Sequence, residues 1–297
     1  MRLQAREDVN GSVTKFFTAT FVLHHVQRGS ISLAETIDEW FDLEYAENVS
    51  VRMLLNHTSG VPSYTEDARW LSRSFGQPVR RWQPEELVDV IRDKPLKFDP
   101  GSDHEYSNTN HVLLGLILER ETNTSYQELV RSLVRDEFDY DRTYYLDYPD
   151  DAPIANGYDE SIIGFGRWNL TGFRRSLETG GYAAGGILST APDVARFVRS
   201  VFTGTVLGDD VLREMQTFVD APDEDVPEQQ GYGLGIRHLQ IDGEDVFGHT
   251  GTIPGYSAIA MHHENPQYTI AVLSNVSTID QAAVYSSLQE VLFEEVY

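Results

Sequence analysis

The sequence predicts an α+β fold: an antiparallel sheet flanked by helices, plus an all-helical region. Three observations predict it. Apolar residues recur at helical spacing through most of the first two thirds of the chain. Four strand-like runs separated by turn dipeptides fill the segment from 232 to 274, and a last helical run, Ile279 to Val296, closes the chain. With 297 residues the chain can bury a substantial core, as one large or two medium domains.

Ser12 to Arg28 reads as a helix, with Val13, Phe16, Phe17, Val22, Leu23 and Val26 on a broad apolar face and Gly29 as its stop. Leu33 to Phe41 is expected as a second, short helix. Val51 to Leu55 is a short apolar run before the turn-prone Asn56-His57-Thr58-Ser59-Gly60. Pro84 suits a first helical position, with Glu85 and Glu86 in the first turn and Leu87, Val90 and Ile91 at helical spacing. Lys97 to Gly101 is a turn, and helices are expected over Val112 to Glu121 and Tyr126 to Phe138. Asp139 to Gly181 shows no clear period and is expected as a functional loop or lid. Helices follow at Ala191 to Phe202 and Asp209 to Phe218, then a solvated loop from Asp220 to Gln230. Strands are expected at Tyr232 to Gln240, Asp245 to His249, Ser257 to His263 and Tyr268 to Ser274, divided by Asp242-Gly243, Pro254-Gly255 and Asn265-Pro266. The reading places a sheet domain in 1–32 and 182–297 and a helical domain in 33–181.

Composition excludes several classes of function. Apolar residues make up 40% and charged residues 24%, which suits a soluble globular protein, and no run approaches the length of a bilayer span. Cysteine is absent, which excludes disulfides and thiol catalysis. The 23 basic and 47 acidic residues leave a net charge of −24, which repels phosphate backbones and anionic lipid. Only three of the basic residues are lysines, Lys15, Lys94 and Lys97; the other 20 are arginines. So acidic and lysine-poor a surface reads as adapted to strong salt, where repulsion between carboxylates is screened. The opening MRLQAREDVNGS has no apolar stretch, so a cytoplasmic location is expected, with export if translation starts further upstream.

Ser12 and Lys15 stand three apart at a helix start, one turn apart on one face, where unpaired N–H groups point outward. A serine hydroxyl is a weak nucleophile until a neighbour takes its proton, and a lysine does so once its pKa is pulled down. Chance yields only about 0.2 such Ser-x-x-Lys pairs at this composition. Tyr106-Ser107-Asn108 follows the Asp99-Pro100-Gly101 turn; a phenol can relay a proton with a lysine, and an asparagine can orient both lysine and substrate. His249-Thr250-Gly251 lies on or next to a late strand, where a glycine permits close approach to the backbone. The N–H groups of Thr252 and Ser12 can together hold an oxyanion.

In this order the elements resemble the serine β-lactamase and penicillin-binding protein superfamily, in its class C-like branch. That branch also holds D-alanyl-D-alanine carboxypeptidases, D-aminopeptidases and esterases. Gly11 to Lys15, Leu54 to Gly60, Phe98 to Gly101 with Tyr106 to Asn108, Gly185 to Thr190 and Gly248 to Gly251 all look like family signatures. The resemblance covers nearly the whole chain. It implies a β-lactamase/transpeptidase-like fold and a serine hydrolase without metal or cofactor. Ser12 would be acylated, Lys15 and Tyr106 would share the base and acid roles, Asn108 would orient them, and His249, Thr250, Gly251 and Thr252 would contact the substrate.

Two departures shape the expectation. Eleven residues precede Ser12, too few for the helix and two strands usual there, so Tyr268 to Ser274 is expected as an exposed edge through which the chain self-associates. His249 stands where many β-lactamases carry lysine; a neutral imidazole is a weaker carboxylate partner, which tilts the expected substrate from β-lactams towards D-amino peptides or esters. The alternative is a catalytically inactive relative that binds peptides or a protein partner. A metal site is disfavoured, because His262 and His263 alternate across a strand.

Overall fold

The computed structural model describes residues 6–160, 166–223, 225–264 and 267–296. In chain order its elements are β1 (Asp8–Val9), α1 (Thr14–Gln27), α2 (Val51–Leu55), α3 (Ala68–Gly76), α4 (Pro84–Asp89), α5 (Asn108–Thr122) and α6 (Tyr126–Leu129), the last continuing as a wider turn over Val130–Glu137. Then come β2 (Tyr158–Asp159), β3 (Trp168–Asn169), α7 (Arg174–Gly185), β4 (Leu188–Ser189), α8 (Ala191–Phe202), α9 (Asp209–Met215), β5 (Val219–Asp220), β6 (Gln229–Tyr232), β7 (Arg237–Ile241), β8 (Glu244–Ile253), β9 (Tyr256–Glu264), β10 (Gln267–Ser274) and α10 (Gln281–Val296). The architecture is α+β, as the sequence predicts.

The main sheet is antiparallel with strand order β10-β9-β8-β7-β6-β5. Among the described residues β10 is therefore an edge, with Tyr268 opposite His263 and Ser274 opposite Ser257 on its one paired side. Helix α1 is buried on every side from Thr14 to His24, as a central helix must be. Phe17 stacks on Phe197 of α8 at 4.2 Å, and Phe16 meets the same ring edge-on at 5.9 Å. A fully buried Phe is worth about 1.5–3 kcal/mol, so these contacts fix the helix that carries Ser12 and Lys15. Gly29, at φ +74°, ends it, with Gly29 N donating to Val26 O. Helix α4 starts at Pro84 with a Gln83–Glu86 capping box.

Four expectations are corrected. Leu33 to Phe41 forms only one tight turn, Ile37–Glu39. Its backbone pairs across the chain instead: Ile37 N donates to Val49 O, Val51 N to Glu35 O, and Arg52 N to Leu33 O. The aperiodic segment 139–181 contains the small β2–β3 pair and most of α7, while 161–165 lies outside the described residues. Gly157 and Gly180 serve close packing, since a Cβ on them would stand 2.6 Å from Tyr256 Cε2 and 3.2 Å from Trp82 Cδ1, whereas Gly166 takes φ +79° in open space. Tyr232 to Gln240 is two strands, folded back where Gly233 N donates to Ile236 O and Gly235 takes φ +75°. Helix α9 stops at Met215, three residues before the expected end, and Val219–Asp220 joins the sheet. The Asn265-Pro266 turn lies outside the described residues. No described helix is long and apolar enough to cross a membrane.

Candidate active site

Three segments converge at the start of α1. Pairing of β1 with β4 and donation by Asn10 N to Ile187 O fix the chain just before Ser12. Gly11, at φ +52°, makes the turn into the helix, where any side chain is strained and a Cβ would stand 3.0 Å from Thr252 N. Gly251 meets that turn from the sheet: a Cβ there would lie 2.7 Å from Ser12 N. From α10, Gln281 Nε2 donates to Gly251 O at 2.9 Å and to Thr252 Oγ1 at 3.0 Å, steadying this stretch of β8.

Lys15 is fully buried. Its Nζ lies 3.0 Å from Ser12 Oγ, 2.7 Å from Asn108 Oδ1 and 2.7 Å from the Ala184 carbonyl. Burial first, and the Arg237 guanidinium second, hold its pKa well below the usual lysine value. A neutral amine has two N–H donors and one lone pair. Asn108 Oδ1 and Ala184 O can only accept, so the lone pair is left for the Ser12 hydroxyl proton. The Ala184 carbonyl is available because Tyr182, at φ +41° and ψ −130°, breaks the helical path of α7.

Asn108 is held in turn. Its Nδ2 donates to Thr65 Oγ1 at 3.0 Å, and its backbone N donates to Ser63 Oγ at 3.2 Å. The start of α5 is tied to the 56–60 turn, where His57 Nδ1 accepts from Ser107 N at 3.2 Å and from Asn110 Nδ2 at 3.0 Å. The Tyr106 ring lies under Lys15, with Nζ 4.9 Å from its centroid, and Arg237 covers the same ring at 5.1 Å. Burial raises the Tyr106 pKa, and the Arg237 charge opposes the rise.

A cavity of about 530 Å³ opens beside Ser12. Ser12, Asn108 and Thr252 are on its wall, with Tyr64, Trp70, Trp82 and Phe173 among the apolar residues facing them. Lys15, Tyr106, Thr250 and Gly251 are not among the residues that line the cavity. His249 turns inward: fully buried, it accepts from Tyr232 Oη through Nε2 at 2.8 Å, and its Nδ1 meets Thr250 O. Burial, Arg237 and Lys15 together keep it neutral. Both ring nitrogens are thus engaged within the protein, and His249 does not line the cavity. His262 stacks on Phe202 at 4.9 Å while His263 stacks on Tyr268 at 4.8 Å.

The sequence reading missed Arg237, Gln281, Thr65 and the aromatic wall. Arg237 is buried and held by Asp223 Oδ2 at 3.0 Å and by Gln229. A lone arginine in a strand-like run carries no local signal of burial. Of Tyr64, Trp70, Trp82 and Phe173, only Trp70 lies on an α-helix, α3, which is absent from the sequence expectations; the other three sit in the short turns and connections around α3 and before α7.

The beta-lactamase family model matches residues 9–289. Penicillin-binding protein 4* of Bacillus subtilis (strain 168) is 24% identical over 96% of this chain, which spans 65% of that protein and less than half of the next relatives. Among solved structures, the D-stereospecific amidohydrolase from Streptomyces sp. is 27% identical, with a TM-score of 0.85 over 98% of this chain and 87% of its own. The D-amino acid amidase from Ochrobactrum anthropi SV3 complexed with L-phenylalanine amide is also 27% identical, with a TM-score of 0.84 over 99% of this chain and 85% of its own.

Proposed function

The chain belongs to the β-lactamase family of serine hydrolases, and on that premise we propose that it cleaves an amide or ester bond through an acyl-enzyme on Ser12. The observation that carries this reading is the buried Lys15 amine 3.0 Å from Ser12 Oγ, its other two partners being acceptors. Lys15 takes the Ser12 proton as Oγ bonds to the substrate carbonyl carbon. The oxygen that becomes negative is held by the N–H groups of Ser12 and Thr252, a pair whose single members are worth about 10²–10³ in rate in such sites. Lys15, relayed by Tyr106, returns the proton to the leaving amine or alcohol as the carbonyl re-forms. A water then attacks the acyl group along the same route in reverse.

The names of the two amide-hydrolysing relatives put amides of D-amino acid type among the candidate substrates, beside esters and β-lactams on the same residues, and leave the choice between them to the lining of the site. The test is a panel of a chromogenic cephalosporin, a D-alanyl dipeptide and a short nitrophenyl ester, with fluorophosphonate labelling alongside. Labelling at Ser12 that vanishes in Ser12→Ala supports the reading; an unlabelled serine and no turnover would mark a binding module instead.

Two further proposals follow from composition and fold. The β10 edge, with Leu288, Val291 and Leu292 of α10 also exposed, supports self-association with a second copy of the chain, which sedimentation velocity tests: a monomer at all concentrations excludes it. The net charge of −24 supports function in strong salt.

A further inference from the structure

The wall of the cavity beside Ser12 is built without charge. Among the described residues that line it, every polar side chain is neutral: Ser12, Thr65, Ser74, Asn108, Ser176 and Thr252, together with the phenol of Tyr64 and the indoles of Trp70 and Trp82. In a chain with 70 charged side chains (23 basic plus 47 acidic) this is a selective arrangement. The acids adjacent to the wall in sequence are already paired. Glu66, next to Thr65, meets Lys97 at 2.7 Å, and Asp67 meets Lys94. Glu178, next to Leu177, is fully buried between Arg174 at 3.1 Å and Arg175 at 3.3 Å. On α3 the residues that face the cavity are Trp70, Leu71, Ser74 and Phe75. Arg69 falls off that strip and bonds to Asp67 and to Val90 O.

The apolar part is held in place rather than loosely collapsed. Tyr64 Oη donates to Gly180 O, and Trp82 N donates to Thr179 Oγ1 at 3.1 Å, so both rings are pinned to α7. Tyr64 meets Trp70 edge-on at 5.2 Å, and Trp70 lies 6.0 Å from Trp82. The Trp82 face already carries a cation, Arg80, at 4.7 Å. At the mouth, Phe75 is 70% exposed and Leu71 and Phe173 are partly so, an apolar rim open to solvent beside a preformed apolar slot. A volume of about 530 Å³ falls within the range that takes a drug-sized ligand.

Resting on the acyl-enzyme reading above, we propose that the substrate is an ester or amide whose acyl part is bulky, apolar and uncharged, selected by the Tyr64–Trp70–Trp82 wall and the Phe75 rim. An acyl group with a free ammonium meets no carboxylate among the lining residues. One with a carboxylate meets no cation among them, since Arg80 on the Trp82 face is paired with Glu86, and it approaches against the field of a strongly acidic protein. Arg237 does not supply the missing cation, since it is buried behind Tyr106 and held by Asp223.

The test compares kcat/KM for para-nitrophenyl esters on one skeleton: phenylpropanoyl, its α-ammonium analogue (phenylalanine) and its carboxylate analogue (the phenylsuccinic half-ester), with acetyl as the small neutral control. The phenylpropanoyl ester is expected to exceed both charged analogues by about 100-fold or more, and acetyl by about tenfold. Phe75→Asp, at an exposed position, is expected to shrink the neutral-to-ammonium ratio by about tenfold while the melting temperature stays at the wild-type value. Charged and neutral esters turned over within a few-fold of one another, with Ser12 labelled, would overturn this proposal and leave the acyl-enzyme intact. Turnover that survives Ser12→Ala would overturn both.

Discussion

Lys15 Nζ lies 3.0 Å from Ser12 Oγ, and the lysine's two other partners, Asn108 Oδ1 and the Ala184 carbonyl, can only accept hydrogen bonds. This geometry separates a base from a mere cation at the site. Lys15→Arg keeps a charge and donors but has no lone pair to offer near neutral pH. It is therefore expected to lower kcat by about 10²–10⁴, the usual worth of a positioned base, and to do so as severely as Lys15→Met. Steady-state kinetics on any turned-over ester checks this; an arginine variant close to wild type would mean that the lysine acts through its charge.

The same geometry sets the pH dependence. A base works in its neutral form, so activity rises as pH climbs through the lysine's lowered pKa. Burial and Arg237 set that pKa, and Asn108 contributes a neutral amide. Asn108→Asp puts an opposite charge beside the amine, which favours its charged form and shifts the pKa up by about 1–3 units. The acid limb of kcat/KM should move to higher pH by that amount while its shape persists. If the limb stays where it is in the wild type, Lys15 is not the group it reports.

Much of this site was legible in the sequence because its chemistry is local. Ser12 and Lys15 share a helix turn, and Gly251 follows the expected strand Asp245 to His249, which the structure extends to Ile253. What was not legible depends on tertiary packing. Helix α7 reads as a loop because Gly180, Gly181 and Gly185 depress its helical signal, yet a Cβ on Gly181 would sit 3.1 Å from Gly186 N. His249 looks like a substrate contact on a strand, and only the fold shows Tyr232 filling its Nε2. The expected helix at Leu33 to Phe41 failed for a related reason, since its backbone groups find partners in the 49–52 segment rather than four residues back.

Gly251 tests how close the sheet must come to Ser12. A Cβ there would stand 2.7 Å from Ser12 N, against backbone rather than a movable side chain. Gly251→Ala must push β8 from the start of α1 and separate the two N–H groups assigned to the oxyanion. A loss of about 10²-fold in kcat is expected, comparable to removing one such donor. Gln281→Ala, which releases Gly251 O and Thr252 Oγ1 without a clash, should lose less. The ordering of the two variants is the decisive result, because general destabilisation would not separate them at a temperature where both remain folded.

Histidines set the acid side of stability. His57, His111 and His249 are fully buried with pKa values pushed well below the usual value by burial, and His104 is pushed down to about 4. Unfolded, each takes a proton near pH 6.5; folded, it does not. Their contribution is therefore present above pH 6.5 and is lost as pH falls towards 4. Burial also lowers His24, His25 and His262, which makes seven histidines, while Asp8, Glu119, Asp147 and Glu178, raised by burial, pull the other way and are only four. The urea midpoint should fall between pH 6.5 and 4. His111, whose ring nitrogens have no partner among the described residues, should be the telling position: His111→Leu removes an unsatisfied buried group worth about 1–3 kcal/mol and should flatten the slope. An unchanged slope in this variant would place the acid lability elsewhere.

Salt acts on two opposing terms. The exposed ion pairs, such as Arg131 with Glu128 and Arg213 with Asp210, weaken as screening grows. The net charge of −24 repels itself, and that repulsion weakens too. Each exposed pair is worth only about 0–1 kcal/mol, whereas the surplus carboxylates act on the whole folded surface, so relief of repulsion should win. The melting temperature is expected to rise steadily from about 0.1 M to beyond 1 M sodium chloride, as the screening length shrinks from about 10 Å to about 3 Å. Chloride is the informative salt, because sulfate stabilises most proteins by exclusion from their surface. A melting temperature that is flat or falling in chloride would mean that the ion pairs dominate and that the acidic surface does not mark an adaptation to salt.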